Sequence, residues 1–366
     1  MIAAQFFNEI AAGNALKRHF RKKAALAILS LLSCLTATAS NRAITPTQNY
    51  RVLSEIDRTR LAEAFRLGDQ IGDRVWPGWS RAPFAVLLVT PDTEFLIRHP
   101  KPAPDFTRLG YDALLKSDVY YRKRQFDPHL LATFPAVGGI STIVIGQAEN
   151  TSVKTSTPWV ITLLHEHFHQ LQDSGQNYYA EVNALGLAHG DQTGMWMLNY
   201  AFPYDRKEVQ EQFALMSTLL ADALSANRGE TRKAKVSTYL AARRKFQAML
   251  APDDYKYISF QFWKEGIARY TEYQVAQVAT SKFCPSKEFT ALKDYQTFQD
   301  VARKTYEGIF KQLETQQLGE SKREVVYSYG AAEGLLLDKI KRGWRQRYFV
   351  DKFDLGKLWL IDSLVQ

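Results

Sequence analysis

The segment of residues 157–173 limits the fold more than any other part of the chain, because it places titratable side chains within an apolar helical pattern. Thr157 is suited to cap a helix, Pro158 to be its first residue and Gly175 to end it. The apolar residues of one face recur at helical spacing: Val160, Ile161, Leu164, Phe168 and Leu171. The pattern therefore predicts a helix that packs inward through this face.

Two histidines of this helix are one turn apart. His165 and His169 occupy positions i and i+4, so their rings project from the same side and can bind one metal ion. Glu166 is rotated along the helix, where it can take a proton from a zinc-activated water rather than ligate. His167 points away from the two ligands, and we expect it to contact solvent or groups around the site. The H-E-x-x-H spacing predicts a zinc site with Glu166 as general base.

A zinc ion with two histidine ligands needs a third protein ligand and an open position for water. Glu265 is the preferred candidate because it lies in a helix-period segment, and small residues such as Gly266 allow a second helix to approach closely. Glu272 follows two turns later on the same face and is placed to orient a ligand histidine. Glu181 and His189 are the alternative third ligands.

These motifs resemble those of the gluzincin zinc metallopeptidases. The H-E-x-x-H run of residues 165–169 and the Trp-Lys-Glu-Gly-Ile-Ala-Arg-Tyr-Thr-Glu run of residues 263–272 are similar to the two motifs of the membrane-alanyl-aminopeptidase type. Lys264 stands where that family has Asn, and the longer interval between the motifs requires inserted helices around residues 200–255. The family's large N-terminal β-domain is not matched. The resemblance implies a zincin-like fold, bound Zn²⁺ and a peptide or protein substrate.

Two shorter matches imply roles for Tyr327 and Glu149. Residues 325–331 resemble the family's Tyr-x-Lys-Gly-Ala segment, whose tyrosine stabilises the oxyanion, which implies this role for Tyr327 with Tyr329 as the alternative. The Gly-Gln-Ala-Glu-Asn run of residues 146–150 is similar to the Gly-Ala-Met-Glu-Asn exopeptidase element. This match implies a substrate-binding role for Glu149 towards an amine. The simpler interpretations are a core aromatic for Tyr327 and a turn after an edge strand for Glu149.

The first part of the chain has strand-like patterns. Residues 84–90 and 93–98 predict a hairpin, and the β-branched run of residues 141–145 predicts an edge strand beside the cleft that could bind an extended peptide. The Pro-rich residues 99–110 predict a loop. Residues 51–67 predict a helix that is broken by glycines at positions 68 and 72.

After about residue 155 the pattern becomes helical, with amphipathic stretches over residues 158–173, 206–227, 231–250, 258–279, 286–316 and 327–342. Strands followed by helices indicate an α+β fold rather than an alternating one. We predict a zincin-like arrangement in which residues 40–175 form a β-containing subdomain that ends in the H-E-x-x-H helix. Residues 176–366 form a mainly helical subdomain that supplies the third zinc ligand.

The N-terminal 39 residues are typical of a targeting sequence. A basic cluster at residues 17–23 precedes a 16-residue apolar run from residue 24 to residue 39, which ends in Ala-Thr-Ala. This pattern predicts a removed signal peptide, and the alternatives are lipidation at Cys34 or a retained membrane anchor. We therefore expect an exported protein, periplasmic or secreted, with possible membrane association through the N-terminus.

Charge and cysteine content exclude several classes of protein. The net charge is +9, but it falls to +5 when the first 39 residues are set aside, and no basic stripe with interleaved aromatics is present. We expect no nucleic-acid partner. Cys34 and Cys284 are the only cysteines, so a cleaved chain has no internal disulfide, and we expect Cys284 to be a small buried apolar residue.

The function that this sequence predicts is hydrolysis of peptide bonds by an exported zinc metallopeptidase. The alternative is a catalytically silent zinc-binding envelope protein with an interaction role. The presence of Glu166 and the lack of cysteine ligands argue against a purely structural zinc site. A serine hydrolase is disfavoured because the sequence has no G-x-S-x-G motif.

Overall fold

The computed structural model describes residues 52–360, which form a six-stranded mixed sheet followed by a mainly helical region. The predicted α+β order is confirmed. The predictions for the signal peptide, Cys34 and residues 40–51 lie outside the described residues.

The sheet has the strand order β3-β4-β2-β1-β6-β5. Its strands are β1 (Val86–Val89), β2 (Thr93–Ile97), β3 (Thr107–Asp112), β4 (Ser117–Lys123), β5 (Leu131–Val137) and β6 (Ile140–Gly146). β1 and β6 are parallel, and every other neighbouring pair is antiparallel. β1 and β2 form the predicted hairpin, and both are fully buried.

The prediction of an edge strand at residues 141–145 is wrong. β6 lies inside the sheet, between β1 and β5, and β5 is the terminal strand on this side. The loop prediction for residues 99–110 is wrong at its end, because β3 begins at Thr107. β3 is mostly exposed and lacks the apolar alternation that marks a half-buried strand.

The first helix, α1 (Glu55–Val75), is not broken by its glycines. Ser54 caps it by accepting a hydrogen bond from the Asp57 backbone nitrogen at 3.1 Å. A Cβ at Gly68 would lie 2.9 Å from the Phe84 ring. The glycine therefore allows a close approach of helix and sheet, and the break predicted there is wrong.

The remaining helices follow the sheet along the chain. They are α2 (Ser156–Asp173), α3 (Tyr178–Asn183), α4 (Trp196–Asn199), α5 (Lys207–Ser225), α6 (Glu230–Met249), α7 (Pro252–Gln261), α8 (Ile267–Lys282), α9 (Lys287–Thr290), α10 (Phe298–Thr315), α11 (Leu318–Ser321), α12 (Val325–Ile340), α13 (Trp344–Tyr348) and α14 (Gly356–Leu360). Short 3₁₀ turns cover Trp79–Arg81, Ala148–Asn150 and Lys322–Glu324. The single π-helical turn Phe262–Gly266 joins α7 to α8 without a break.

Helix α2 lies against the sheet, and its predicted apolar face is buried. The helix begins at Ser156 rather than at Pro158, because Asp294 accepts hydrogen bonds from the Ser156 backbone nitrogen and hydroxyl at 2.8 and 2.7 Å. The predicted cap, Thr157, lies inside the first turn. At the other end, the Gln170 side chain donates to the carbonyl oxygens of Ala85 and Ser141, at 3.0 and 2.9 Å. These bonds fix the rotation of α2 on the sheet.

Two glycines let the π-helical turn contact α12 at backbone distance. A Cβ added to Gly330 would lie 2.7 Å from both the Gly266 Cα and the Phe262 carbonyl oxygen. Any larger side chain would force the two elements apart. The close crossing that the small residue beside Glu265 predicts is therefore present, and it places Glu265 and Tyr327 next to the histidines of α2.

Cys284 is exposed, so the prediction of a buried cysteine is wrong. It follows the end of α8, where its carbonyl oxygen accepts a hydrogen bond from Arg66. Among residues 52–360, no helix combines the length and apolar character needed to cross a membrane.

Candidate metal centre

His165, His169 and Glu265 converge in the interior. The two Nε2 atoms are 3.2 Å apart, and the Glu265 Oε2 lies 3.4 Å from the Nε2 of His169 and 3.9 Å from that of His165. Both histidines are buried, and the Glu265 side chain is 17% exposed. In the described part of the chain, these three residues form the one group of His, Cys, Asp and Glu side chains spaced to hold a metal ion.

The partner of His165 determines which of its ring nitrogens carries hydrogen. The Nδ1 of His165 lies 2.7 Å from the Glu272 Oε1, and a carboxylate can only accept. When the ring is neutral, as in a metal ligand, its proton is therefore on Nδ1, and the Nε2 lone pair is directed towards the cluster. Arg269 contacts the other carboxylate oxygen and holds Glu272 in place. The predicted orienting role of Glu272 matches this geometry.

The partner of His169 is Gln172, which the sequence analysis missed. The Gln172 Nε2 donates to the carbonyl oxygens of Trp263 and Lys264, at 3.3 and 3.2 Å, so the amide oxygen must face the histidine. That oxygen is 2.6 Å from the His169 Nδ1. The Nε2 of His169 is therefore also a lone-pair donor that points into the cluster.

The spacing fits a tetrahedral metal ion. Ligand atoms about 2.1 Å from zinc, at the corners of a tetrahedron, lie about 3.4 Å from one another. The three observed separations of 3.2, 3.4 and 3.9 Å lie around this value. A cation at this position would be held by two imidazole nitrogens and one carboxylate oxygen in a buried site. The donor set of two nitrogens and one carboxylate therefore fits Zn²⁺ with one position left for water or substrate.

The carboxylates control the charge of the metal-free cluster. Burial opposes protonation of His165, but the hydrogen bonds to Glu265 and Glu272 override it and raise the pKa of His165 to about 10. Burial also opposes ionisation of Glu265, yet the neighbouring His169 and His165 hold the pKa of this carboxyl well below its usual range. Glu265 is thus ionised, as a metal ligand must be.

Glu166 is positioned by the sheet. The Thr133 hydroxyl on the terminal strand β5 lies 2.8 Å from the Glu166 Oε2 and 3.0 Å from its backbone carbonyl oxygen. Glu166 is buried, and its negative charge acts on His165. The carboxylate is therefore adjacent to the cluster without belonging to it, as the sequence predicts for a general base.

Tyr327 lies beside the cluster, whereas Tyr329 does not. The Tyr327 ring centroid is 6.4 Å from that of His165, and its hydroxyl accepts a hydrogen bond from Arg323 at 3.2 Å. Burial and the charge of Glu265 raise the pKa of Tyr327, so its hydroxyl stays protonated. Tyr329 points to the opposite side of α12, where its hydroxyl meets that of Tyr239 at 2.8 Å. Tyr329 is therefore a core residue.

The alternative ligands and Glu149 lie outside the cluster. Glu181 pairs with Lys352 at 2.5 Å, and His189 is exposed on a left-handed turn. Glu149 is in the 3₁₀ turn after β6, as expected, and its carboxylate pairs with Arg60 at 2.7 Å. Its role towards a substrate amine stays a prediction.

His167 is buried rather than solvent-exposed. Its ring stacks on Phe84 at a centroid distance of 3.7 Å and on Trp79 at 5.3 Å. Burial lowers the pKa of His167 to about 3, so the residue is neutral. The expectation of solvent contact is wrong, because this side of α2 faces α1 and the sheet.

Lys264, in the π-helical turn, is a buried cation that contacts the end of α2. Its Nζ lies 3.3 Å from Asp173 Oδ1 and 3.1 Å from the Tyr178 hydroxyl. Burial opposes its charge, but Asp173 raises the pKa of Lys264 and keeps it protonated. This ion pair joins the helix that carries both histidines to the turn that carries Glu265.

Comparison with known proteins adds no family assignment: no protein-family model matches the chain, and neither the curated proteins nor the solved structures give a match. The resemblance to the gluzincins therefore rests on the short matches at residues 146–150, 165–169, 263–272 and 325–331.

Proposed function

We propose that this chain is an exported zinc metallopeptidase that hydrolyses peptide bonds. The observation that carries the proposal is the convergence of His165, His169 and Glu265 at tetrahedral spacing, with both histidines oriented by buried acceptors. Zn²⁺ held there would polarise a substrate carbonyl and acidify a water molecule. Export is supported by the N-terminal basic and apolar pattern alone.

Glu166 supplies the proton transfer. Its carboxylate is next to the cluster and held by Thr133, so it can take a proton from water and pass it to the leaving amine. A site used only to stabilise the fold has no need of a carboxylate at this position. This feature favours catalysis over the silent zinc-binding alternative.

Tyr327 supplies a hydrogen bond. Arg323 donates to its hydroxyl oxygen, which leaves the hydroxyl hydrogen free to point at a substrate oxygen that gains negative charge. The Tyr327 ring lies beside that of His165, with the two centroids 6.4 Å apart.

Strand β5 is the candidate for holding an extended peptide. It is paired on one side only, by β6, and its residue Thr133 contacts Glu166. A peptide added to this edge would run past the general base, as in β-strand addition. This replaces the sequence-based expectation that residues 141–145 bind the peptide.

The test uses the full chain loaded with zinc and a library of fluorescence-quenched peptides. The parent should cleave members of the library, and Glu166→Gln should retain zinc but lose about 10²–10⁴-fold in rate. Equal rates for the parent and Glu166→Gln would refute the mechanism. Zinc binding by both proteins with no cleavage of any peptide would favour the silent alternative.

A further inference from the structure

Arg323 is a half-buried cation beside the candidate metal centre, and its hydrogen-bond partners are neutral side chains. Its Nη1 donates to the Gln261 Oε1 at 3.3 Å, and its Nη2 donates to the Tyr327 hydroxyl at 3.2 Å. Within residues 52–360, no carboxylate lies within 4 Å of its guanidinium group in an ion pair. The guanidinium carbon is 5.5 Å from the centroid of the Tyr327 ring.

Three arginines whose side chains are less than a tenth exposed meet a carboxylate directly. Arg60 pairs with Glu149 at 2.7 Å, Arg122 with Glu94 at 2.6 Å, and Arg243 with Glu333 at 2.8 Å. A cation withdrawn from water without such a partner costs free energy. Arg323 is therefore an exception that the fold itself does not explain.

The carboxylates of Glu265 and of the adjacent Glu324 both act on Arg323, and Glu265 is also the candidate third metal ligand. A divalent cation in the cluster would take up the negative charge of Glu265. Arg323 would then face a site whose local charge is positive, and an anionic group of the substrate would be favoured there.

We propose that Arg323 binds a carboxylate of the substrate next to the cleaved bond. This inference rests on the proposed peptidase function and narrows its substrate class to peptides with a carboxylate within about two residues of that bond, a span of about 7 Å. A planar guanidinium with unused N–H groups can bind a carboxylate through two parallel hydrogen bonds. The carboxylate belongs to either the peptide C-terminus or an acidic side chain.

Tyr327 and Arg323 would then act on different parts of one substrate. The tyrosine contacts the oxygen of the cleaved carbonyl, and the arginine contacts the carboxylate that lies beyond it. Because Arg323 also donates to the tyrosine hydroxyl, the test must separate direct binding from an effect through Tyr327.

Isothermal titration calorimetry on the zinc-loaded full chain provides this separation. Three zinc-binding hydroxamates of malonyl dipeptides serve as probes. The first is malonyl-Leu-Ala with a free C-terminal carboxylate, and the second is malonyl-Leu-Ala with a C-terminal amide in its place. The third is malonyl-Glu-Ala with the C-terminal amide, so that its one carboxylate is on the glutamate side chain. We expect the free carboxylate to bind at least about tenfold more tightly than the amide, because a charge-assisted hydrogen bond contributes about 1.5–3 kcal/mol. If the glutamate probe also binds at least about tenfold more tightly than the leucine amide, an acidic side chain can supply the carboxylate. If it binds no more tightly than the leucine amide, the peptide C-terminus supplies it.

Variants then test the residue. Arg323→Gln should remove the preference for the carboxylate and leave amide binding within about threefold, whereas Arg303→Gln, an exposed arginine on α10, should keep it. Tyr327→Phe should also keep the preference. Arg323→Lys retains the positive charge and should keep part of the preference for the carboxylate. This variant replaces Arg323→Gln in the test if circular dichroism shows that Arg323→Gln does not fold.

Three results would overturn the inference. The first is a parent that holds zinc and binds all three probes equally. The second is an Arg323→Gln variant that still binds the carboxylate probe more tightly than the amide probe. The third is an Arg323→Gln variant that loses affinity for the carboxylate and amide probes equally, because this result would assign Arg323 to positioning Tyr327. A parent without zinc that binds no probe overturns the proposed function itself, and this inference with it.

Discussion

The substitution Gly330→Ala tests whether the close crossing of α12 over the π-helical turn builds the metal centre. The new Cβ would lie 2.7 Å from the Gly266 Cα and from the Phe262 carbonyl oxygen, and both obstacles are backbone atoms. Carbon atoms in contact need about 3.5 Å or more, so the two elements must separate by nearly 1 Å. Overpacking of this kind costs about 1–3 kcal/mol, and the helix propensity of alanine recovers about 1 kcal/mol.

At the upper end of this range, the cost of about 3 kcal/mol less the recovery of about 1 kcal/mol leaves a net loss. We therefore expect Gly330→Ala to lower the free energy of unfolding by up to about 2 kcal/mol. Glu265 precedes Gly266, so the same displacement should weaken zinc binding at least about tenfold, since ligand distances are tolerated within about 0.2 Å. The assays are urea unfolding of the metal-free full chain and zinc titration against a competing chelator.

Gly308→Ala is the matched control, because it also replaces a helical glycine but its Cβ would meet only the Arg269 side chain at 3.9 Å. This variant should be more stable than the parent by about 0.5–1 kcal/mol and should bind zinc normally. If Gly330→Ala were as stable as Gly308→Ala, the crossing would not be the tight contact described, and the reasoning would be refuted.

Three further substitutions test the surroundings of the cluster. Glu272→Gln should weaken zinc binding about 10–100-fold in chelator competition, because His165 loses the anion that orients it. The control Glu307→Gln, at an exposed position, should leave zinc affinity unchanged. Thr133→Val should lower kcat about fivefold to tenfold with zinc content unchanged, because the general base loses its hydrogen bond, and an unchanged kcat would contradict that role. Lys264→Met should lower the free energy of unfolding in urea by about 3–5 kcal/mol, because it leaves the buried Asp173 without its cation. A loss below about 1 kcal/mol would show that the Lys264–Asp173 ion pair does not stabilise the fold.

The three residues of the candidate metal centre could be predicted from the sequence because their placement depends on local periodicity. His165 and His169 share one helix face at any tertiary arrangement, and Glu272 shares a face with Glu265 in the same way. The remaining step was to place the helix that carries the two histidines against the segment that carries Glu265, with these polar side chains facing each other. The glycine beside Glu265 gave the clue to this pairing, since a small residue allows the backbone of a second helix to approach.

The supporting residues could not be predicted, because their contacts depend on tertiary structure. Gln172 reaches His169 within one helix, but its amide orientation is set by carbonyl groups about ninety residues away in sequence. Thr133 comes from a strand whose side chains are mostly half-exposed and carry no clear alternation. Arg323 is in a short 3₁₀ turn that the helical periodicity does not mark.

The errors of the sequence analysis have physical causes. The sequence pattern predicts a helix break at Gly68, whereas this glycine permits close contact between α1 and Phe84. The β-branched residues 141–145 suit a central strand as well as an edge strand, and composition alone does not distinguish the two. Cys284 is exposed because it follows the end of α8, where the amphipathic pattern no longer determines burial.

The central claim is tested most directly by elemental analysis of metal in the purified full chain and in Glu265→Ala. The account predicts about one zinc per chain in the parent, loss of zinc in Glu265→Ala, and normal zinc in the exposed control Glu307→Gln. A parent without zinc, or a Glu265→Ala variant that retains it fully, would contradict the account.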